Sequence, residues 1–420
     1  MNLMHILFGV VICFEAAELR AGDWPQILGQ HRNGAAERES LAPQWPDKGP
    51  PTRWQRDVGS GYAGVAVAQG KSILFHRMDE FEIVEAMDAR TGDGLWKAKY
   101  PARYVPSFTD DNGPRAVPLV HEGKVYVYGS LGGLRAIDLM TGKKLWERET
   151  FDEYVAKRAK GGEPPEGYFG IGASPIVEDG KLIVNVGGDA KQAGIVAFDL
   201  ATGKTVWTAT SERASYSSPV AATIGGIRHL IFVTRLSVLS LDPANGDVRF
   251  QFPFGRPGPN VSAANPVVVG DHLFVSASYG FGAVFARIGA NEAEILWRGD
   301  DLMSSQYTTC VEDGGLFWGI HGRQDLGAAA LRCFDPKTQE VKWTQEDFGY
   351  ATLIKADGKL VILKTDGELV LAELNAERYR ELSRTTIFKA ETRALPALAD
   401  GLLYARDGHT LKCVDLGKQP

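Results

Sequence analysis

The string AIDLMTGKKLW, residues 136–146, decides the fold, because it returns almost unchanged as AMDARTGDGLW at 86–96 and AFDLATGKTVW at 197–207. Each copy reads as an apolar strand ending on Asp, a turn completed by Gly, and a Trp on the next strand. A unit this short cannot bury its own apolar faces and must stack on its neighbours. The repetition therefore predicts one closed array of small sheets rather than several unrelated domains.

Working outward, each unit is marked by a turn between its first two strands. The eight turns are Gln69-Gly70, Glu122-Gly123, Asp179-Gly180, Gly225-Gly226, Gly270-Asp271, Gly314-Gly315, Asp357-Gly358 and Asp400-Gly401. Gly and Asp tolerate the positive φ that a tight hairpin requires. Branched and aromatic runs follow, such as Val125-Tyr126-Val127-Tyr128 and Leu230-Ile231-Phe232-Val233, and read as buried strands. Asp88, Asp138, Asp199, Asp242 and Asp335 open the next turn, their carboxylates placed to accept backbone N–H groups. Trp96, Trp146, Trp207, Trp297 and Trp343, with Phe250 in the fourth unit, suit an aromatic wedge between adjacent sheets. Four strands in each of eight units give an all-β, eight-bladed β-propeller of antiparallel blades. The last unit, 393–416, supplies only three strands. The orphan strand around Trp54 is expected to complete it and to close the ring. The expected organisation is a signal peptide at 1–22, an N-terminal extension at 23–51 and one propeller domain at 52–417.

On these residues the chain resembles the pyrroloquinoline-quinone-type (PQQ-like) propeller repeat family, whose tryptophan-docking motif is A-x-D-x-x-T-G-x-x-x-W. The resemblance extends from about Trp24 to Leu416 and implies the propeller fold. It also implies two kinds of protein: quinoprotein dehydrogenases, and non-catalytic propellers similar to the lipoprotein of the outer-membrane barrel-assembly machinery. A fold shared by both does not choose between them. The dehydrogenases of the family use adjacent Cys residues, acidic and amide ligands for a metal ion, and a catalytic Asp. This chain has no Cys-Cys pair among its four Cys.

Composition narrows the classes further. A net charge of −6 lacks the basic excess of a nucleic-acid binder. No apolar run approaches the ~20 residues of a membrane span. The apolar stretch at 6–14, with cleavage after Ala21, points to export to the periplasm or cell envelope. Cys310, Cys333 and Cys413 are expected as buried thiols without disulfides.

Strings such as HExxH, CxxC or a Walker loop are absent. Asp110-Asp111-Asn112-Gly113 has only part of a calcium loop's spacing and reads as a turn. His321 reads as structural. One constellation remains. Three residues before the first-strand Pro column, the units carry Tyr62, Arg115, Gly172, Tyr216, Ala263, Tyr307, Tyr350 and Arg393. The first strand of a blade lines the central channel. This column therefore either rings the channel mouth or packs between blades with its hydroxyls reaching water, since strand alternation alone does not fix the facing. Long connections at 97–113 and 147–171 emerge on the same face. The first brings Tyr100, Arg103, Tyr104 and Phe108, and the second a short helix at 152–160 and Tyr168. A third insertion, 221–228, falls on the opposite face.

The expected ligand-binding residues are Tyr62, Arg103, Tyr104, Arg115, Tyr216, Tyr307, Tyr350 and Arg393, with no catalytic or metal-ligating residue. The expected function is a monomeric, non-catalytic binding or assembly scaffold for a protein, peptide or saccharide, without a cofactor. The column Arg residues favour an anionic or planar polar ligand. The alternative is a PQQ-dependent alcohol or sugar dehydrogenase holding the quinone with calcium at the same mouth.

Overall fold

The computed structural model describes residues 22–102, 104–106, 108–155, 164, 167–188, 190–258 and 260–418. Thirty-two strands form eight four-stranded antiparallel sheets. Blades 1 to 7 each use four consecutive strands, spanning residues 66–101, 119–149, 176–209, 220–253, 267–299, 311–345 and 351–386. Blade 8 takes three strands from 397–415 and its outer strand from Thr52–Asp57. That strand pairs with Thr410–Asp415, placing Trp54 opposite Cys413. The closure expected from the orphan strand is thus present.

The regularity rests on two kinds of turn. At Asp179-Gly180 both residues have positive φ, 48° and 68°, and Asp357-Gly358 repeats this at 48° and 66°. Both central residues of such a two-residue hairpin must be left-handed for its twist to match the flanking strands. In the third-to-fourth-strand turn, Asp138 Oδ1 accepts the N–H groups of Met140 (3.1 Å) and Thr141 (2.8 Å). A hydrogen bond from the Thr141 hydroxyl, with that from its N–H, holds the Asp138 carboxyl below its ordinary range.

Each fourth-strand Trp reaches from its own blade to the turn of the next. Trp54 Nε1 donates to Ala89 O (3.0 Å), Trp96 to Leu139 O (2.9 Å), Trp146 to Leu200 O (3.0 Å) and Trp207 to Pro243 O (3.2 Å). A Cβ on Gly203 would lie 2.7 Å from the Trp146 ring, so that turn requires Gly for space as well as for its φ of 67°. In blade 7 Ser383 stands opposite Leu371 in the tryptophan register. Buried Trp45, from the N-terminal segment, donates its backbone N–H to Ser383 Oγ at 2.8 Å and joins the same apolar cluster as Leu371 and Leu411.

A second tie runs around the channel wall. The N–H of Val117 donates to Ser174 Oγ, that of Ser174 to Ser218 Oγ, that of Ser218 to Asn265 Oδ1 and that of Asn265 to Thr309 Oγ1, each at 2.8 Å. One side chain per blade thus satisfies a buried backbone donor of the blade before it.

The strand order gives the molecule two unlike faces. First-to-second and third-to-fourth turns share one, here the turn face. Second-to-third turns and interblade connections share the other, the mouth face. The segment before blade 1 crosses the turn face. Trp24 and Val67 exchange N–H···O bonds of 2.7 and 2.8 Å, and Ile27 and Leu28 pack on Val117. Buried Arg32 donates to Pro175 O (2.8 Å), Ser174 O (3.2 Å) and Gln26 Oε1 (2.9 Å). Gly34 and Ala36 pair with Lys355 of blade 7, and Glu39 accepts the N–H of Gly401. Spanning blades 1 to 3 on one side and blade 7 on the other, the segment lies across the channel end. Burial lowers the Arg32 guanidinium to about 9, still mostly protonated at neutral pH.

Two details differ from expectation. The stretch at 221–228 is no insertion: Val220–Ile224 and Ile227–Val233 extend an ordinary hairpin, and Arg228 pairs with Glu178 of the neighbouring blade at 2.7 Å. The helix after blade 2 begins earlier, at Thr150–Tyr154. Positions 156–160 of the expected helix, and 1–21 with the expected signal peptide, lie outside the described residues.

Candidate functional site

The channel opens on the mouth face as a cavity of about 340 Å³. Seven of the eight column positions line it: Tyr62, Arg115, Gly172, Tyr216, Ala263, Tyr307 and Arg393. The column resolves in favour of the mouth because each residue precedes an inner strand and lies above the ring of Ser, Asn and Thr ties. Ile27 of the crossing segment and Leu395 supply apolar lining.

Tyr350 turns away. It is 3% exposed, and its hydroxyl accepts the N–H groups of Tyr307 (2.7 Å) and Thr308 (3.2 Å). Its ring lies 4.3 Å from that of Tyr307, so it supports the mouth from behind. Burial, followed by the nearby Tyr350, raises the Tyr307 phenol well above its ordinary range. Tyr307 therefore stays a neutral donor, and it gives its proton to Gln324 Oε1 at 2.6 Å. Tyr104 is buried beside a separate cavity of about 530 Å³ between blades 1 and 2, with Tyr100, Glu82 and Arg135. Its ring lies beneath Arg115, 5.7 Å from the guanidinium carbon. Arg103 lies outside the described residues.

The two column arginines differ. Arg115 has a side chain only 9% exposed and donates to Gly113 O (2.8 Å) and Asp111 O (3.0 Å), with the Asp111 carboxylate at 3.8 Å. Asp111 in turn accepts the N–H groups of Gly61 (2.8 Å) and Gly113 (3.1 Å), so its carboxylate braces the loop. Arg393, 37% exposed along its side chain, pairs with Glu391 at 3.0 Å. Both guanidinium groups stand over the Tyr62 ring, at 5.3 and 5.5 Å. Burial pulls the Arg393 pKa down, but Tyr62 and Glu391 together hold it above its ordinary value. A third cation, Arg323, binds Asp325 at 2.9 Å and stacks over Tyr279 at 4.0 Å. Among the described residues the cavity lining carries two cations, Arg115 and Arg393, and each has a carboxylate beside it, as does Arg323 behind Tyr279.

Sequence reasoning missed Tyr279, Gln306, Gln324 and Asp325, which complete the opposite wall. Gln306 Nε2 donates to Tyr279 Oη (2.8 Å), and Gln306 Oε1 accepts the Gln324 N–H (2.9 Å). Three of the four sit in or beside second-to-third-strand turns, which topology places on the mouth face. That placement was the signal available. Phe169, from the connection after blade 2, also lines the cavity and meets Tyr216 edge to face at 5.8 Å. Tyr168 donates its N–H to Tyr216 Oη at 3.0 Å.

Asp325 is the one carboxylate on the described lining, already engaged by Arg323, and no sulfur lines the cavity. Cys310, Cys333 and Cys413 are free thiols buried in blades 6 and 8. Among the described residues no three His, Cys, Asp or Glu side chains converge as metal ligands. No helix among them is long and apolar enough to cross a membrane.

Repeated four-stranded blades, all but the seventh keyed to the next by an aromatic side chain of their own outer strand, define a PQQ-repeat type of propeller. The family model described as outer membrane protein assembly factor BamB matches residues 51–167 and, overlapping, 80–345, well over half of the chain. The chain belongs to that family. Two curated enzymes match over shorter stretches. A 1-butanol dehydrogenase (cytochrome c) of Thauera butanivorans is 35% identical over 116 residues, 26% of this chain and 14% of the enzyme. A quinohemoprotein alcohol dehydrogenase of Comamonas testosteroni is 31% identical over 137 residues, 30% of this chain and 17% of the enzyme. These matches thus span less than a fifth of either enzyme's length. Solved structures agree on the fold. The Comamonas testosteroni quinohemoprotein alcohol dehydrogenase superposes with a TM-score of 0.64 at 15% identity, over 96% of this chain and 82% of its own. BamB from Moraxella catarrhalis superposes at 0.61 and 14% identity, over 88% and 98%.

Proposed function

We propose that this chain is a non-catalytic binding propeller of the cell envelope whose ligand occupies the channel mouth. The observation that carries the reading is the fixed arrangement of that cavity. Polar groups on its walls are held by neighbours, its cations are matched by carboxylates, and its far end is crossed by the chain's own N-terminal segment. Such a pocket orients a ligand with little loss of its own freedom. Membership of a family described as an outer membrane protein assembly factor, and the apolar start at 6–14, support an envelope location.

The quinone–calcium reading has less support. The lining offers no adjacent sulfur pair, and its one carboxylate is committed to Arg323. These residues do not fit that pair of groups.

The experiment is a thermal-shift screen of small peptides, saccharides and metabolites against the wild type and Ala263→Trp. The substitution fills the mouth from a half-buried lining position. A ligand that raises the melting temperature of the wild type alone supports the reading. Binders indifferent to Ala263→Trp overturn it. A bound chromophore with dye reduction after adding PQQ and calcium would establish the enzyme instead.

A further inference from the structure

We infer that the mouth takes a neutral saccharide, a step that rests on the binding reading above. The first argument is charge. Among the described residues, Arg115, Arg393 and Arg323 are matched by Asp111, Glu391 and Asp325 within 3.8, 3.0 and 2.9 Å. An anionic ligand at Arg115 would have to displace Asp111 from a pair whose side chains are only 9% and 10% exposed, and that is costly.

The second argument is the distribution of polar atoms. Arg393 Nε is buried without a hydrogen-bond partner. Tyr279 Oη accepts from Gln306, which leaves its own proton to give. The Gln306 and Gln324 amides are planar and held in one orientation, Gln306 by Tyr279 and Asp325 and Gln324 by Tyr307 and Glu391. An apolar guest would leave the Arg393 Nε–H and the Tyr279 proton without an acceptor, whereas a ring edged with hydroxyl groups can accept from both and donate to the second lone pairs of the Gln oxygens.

The third argument is the aromatic wall. Tyr62, Tyr216, Tyr279 and Tyr307 line the cavity. Each is supported by a neighbour: Arg115 and Arg393, Phe169, Arg323, and Tyr350 respectively. Rigid rings with polar tips offer apolar contact to the C–H faces of a sugar while the planar groups address its rim. At about 340 Å³ the space is that of a small-ligand pocket rather than a groove for a folded partner.

The test is isothermal titration of the full chain with cellotetraose, maltotetraose and chitotetraose, their methyl monoglycosides, and tetragalacturonate as the anionic comparison. At least one neutral sugar should bind with a Kd below about 1 mM. Its affinity should hold between about 50 and about 500 mM salt, because no charge pairing is involved. Ala263→Trp should abolish binding. Tyr279→Phe and Gln306→Ala should each weaken it about tenfold, with melting temperatures unchanged. Equal affinity for the monoglycoside would mark a free sugar as ligand, and tighter tetrasaccharide binding the end of a glycan chain.

The inference is overturned if no neutral sugar binds, if only tetragalacturonate binds and salt weakens it, or if binding survives Ala263→Trp. A non-saccharide ligand that Ala263→Trp blocks would sink the sugar and leave the binding reading intact. Failure of both assays would remove both.

Discussion

The two faces of this propeller are built by different rules. The turn face repeats itself: two-residue Gly turns, Asp-anchored turns, and a Trp donated from blade to blade. It is then covered by the chain's own N-terminal segment. The mouth face repeats almost nothing. Its second-to-third turns differ from blade to blade, its two long connections follow blades 1 and 2, and its cavity is asymmetric, with Arg115 and Phe169 facing Tyr279 and Gln324. The repeat thus secures the scaffold from one side and leaves the other free to vary. Loops placed by a rigid frame are where binding usually resides.

The largest effect should come from breaking closure. Removing residues through Val58 takes away the outer strand of blade 8, the crossing segment and buried Trp24, Trp45 and Trp54. Cooperative thermal unfolding followed by circular dichroism should be lost. An unchanged melting curve would refute the role of the closing strand.

Next comes the aromatic key. Trp146→Ala should cost about 3–5 kcal/mol in urea unfolding, the usual range for truncating a large buried aromatic. A loss under about 1 kcal/mol would show that the ring adds little beyond filler.

Smaller again is an acid effect with one probe near each face. His229 lies near the turn-face end of its strand and His76 near the mouth-face end of its own, 0% and 1% exposed. Burial lowers both pKa values from 6.5, and for His76 this outweighs the opposing pull of Glu85. Both are therefore neutral in the folded state and bind protons more readily once unfolded. Their contribution is intact above 6.5 and lost as pH falls below it. The slope approaches about 1.4 kcal/mol per pH unit for each group. His229→Gln should flatten the acid limb of the stability profile, and an unaltered limb would show that His229 does not titrate on unfolding.

The smallest effect should come from the mouth itself. Tyr279→Phe removes one hydroxyl from a half-exposed ring and should change stability by less than about 1 kcal/mol. A larger loss would mean that the mouth network holds the blades together, and the contrast between the faces would fail.

The same contrast explains what could be read from the sequence. Asp179-Gly180 and Asp138 are legible because local backbone chemistry dictates them, and local chemistry repeats. The column of Tyr and Arg is legible because inner strands share a register. Tyr350 escapes that rule: its hydroxyl is captured by the Tyr307 and Thr308 N–H groups, drawing the side chain under its neighbour. Arg115 was legible as a residue at the mouth but not as a matched charge, since Asp111 closes on it only through the loop geometry. Gln306 and Gln324 carry no repeated string around them, and only the strand order shows that such turns share the mouth. Arg32 was illegible. Nothing near it in sequence announces that it will donate to carbonyls of blade 3, some 140 residues later.

The closing strand also imposes an order on synthesis. Arg53 Nε donates to Asp415 Oδ2 at 2.9 Å across a sequence separation of 362 residues. Thr52–Asp57 is therefore made early yet has no sheet to join until the last blade exists. Seven blades can stack as they emerge, each on its predecessor, while the first strand waits beside an unfinished ring. Contacts of such long range are slow to form, and an unpaired edge is sticky in the interval. The ring should thus be most vulnerable to misassociation just before completion, and a helper that shields this one strand would act at that step.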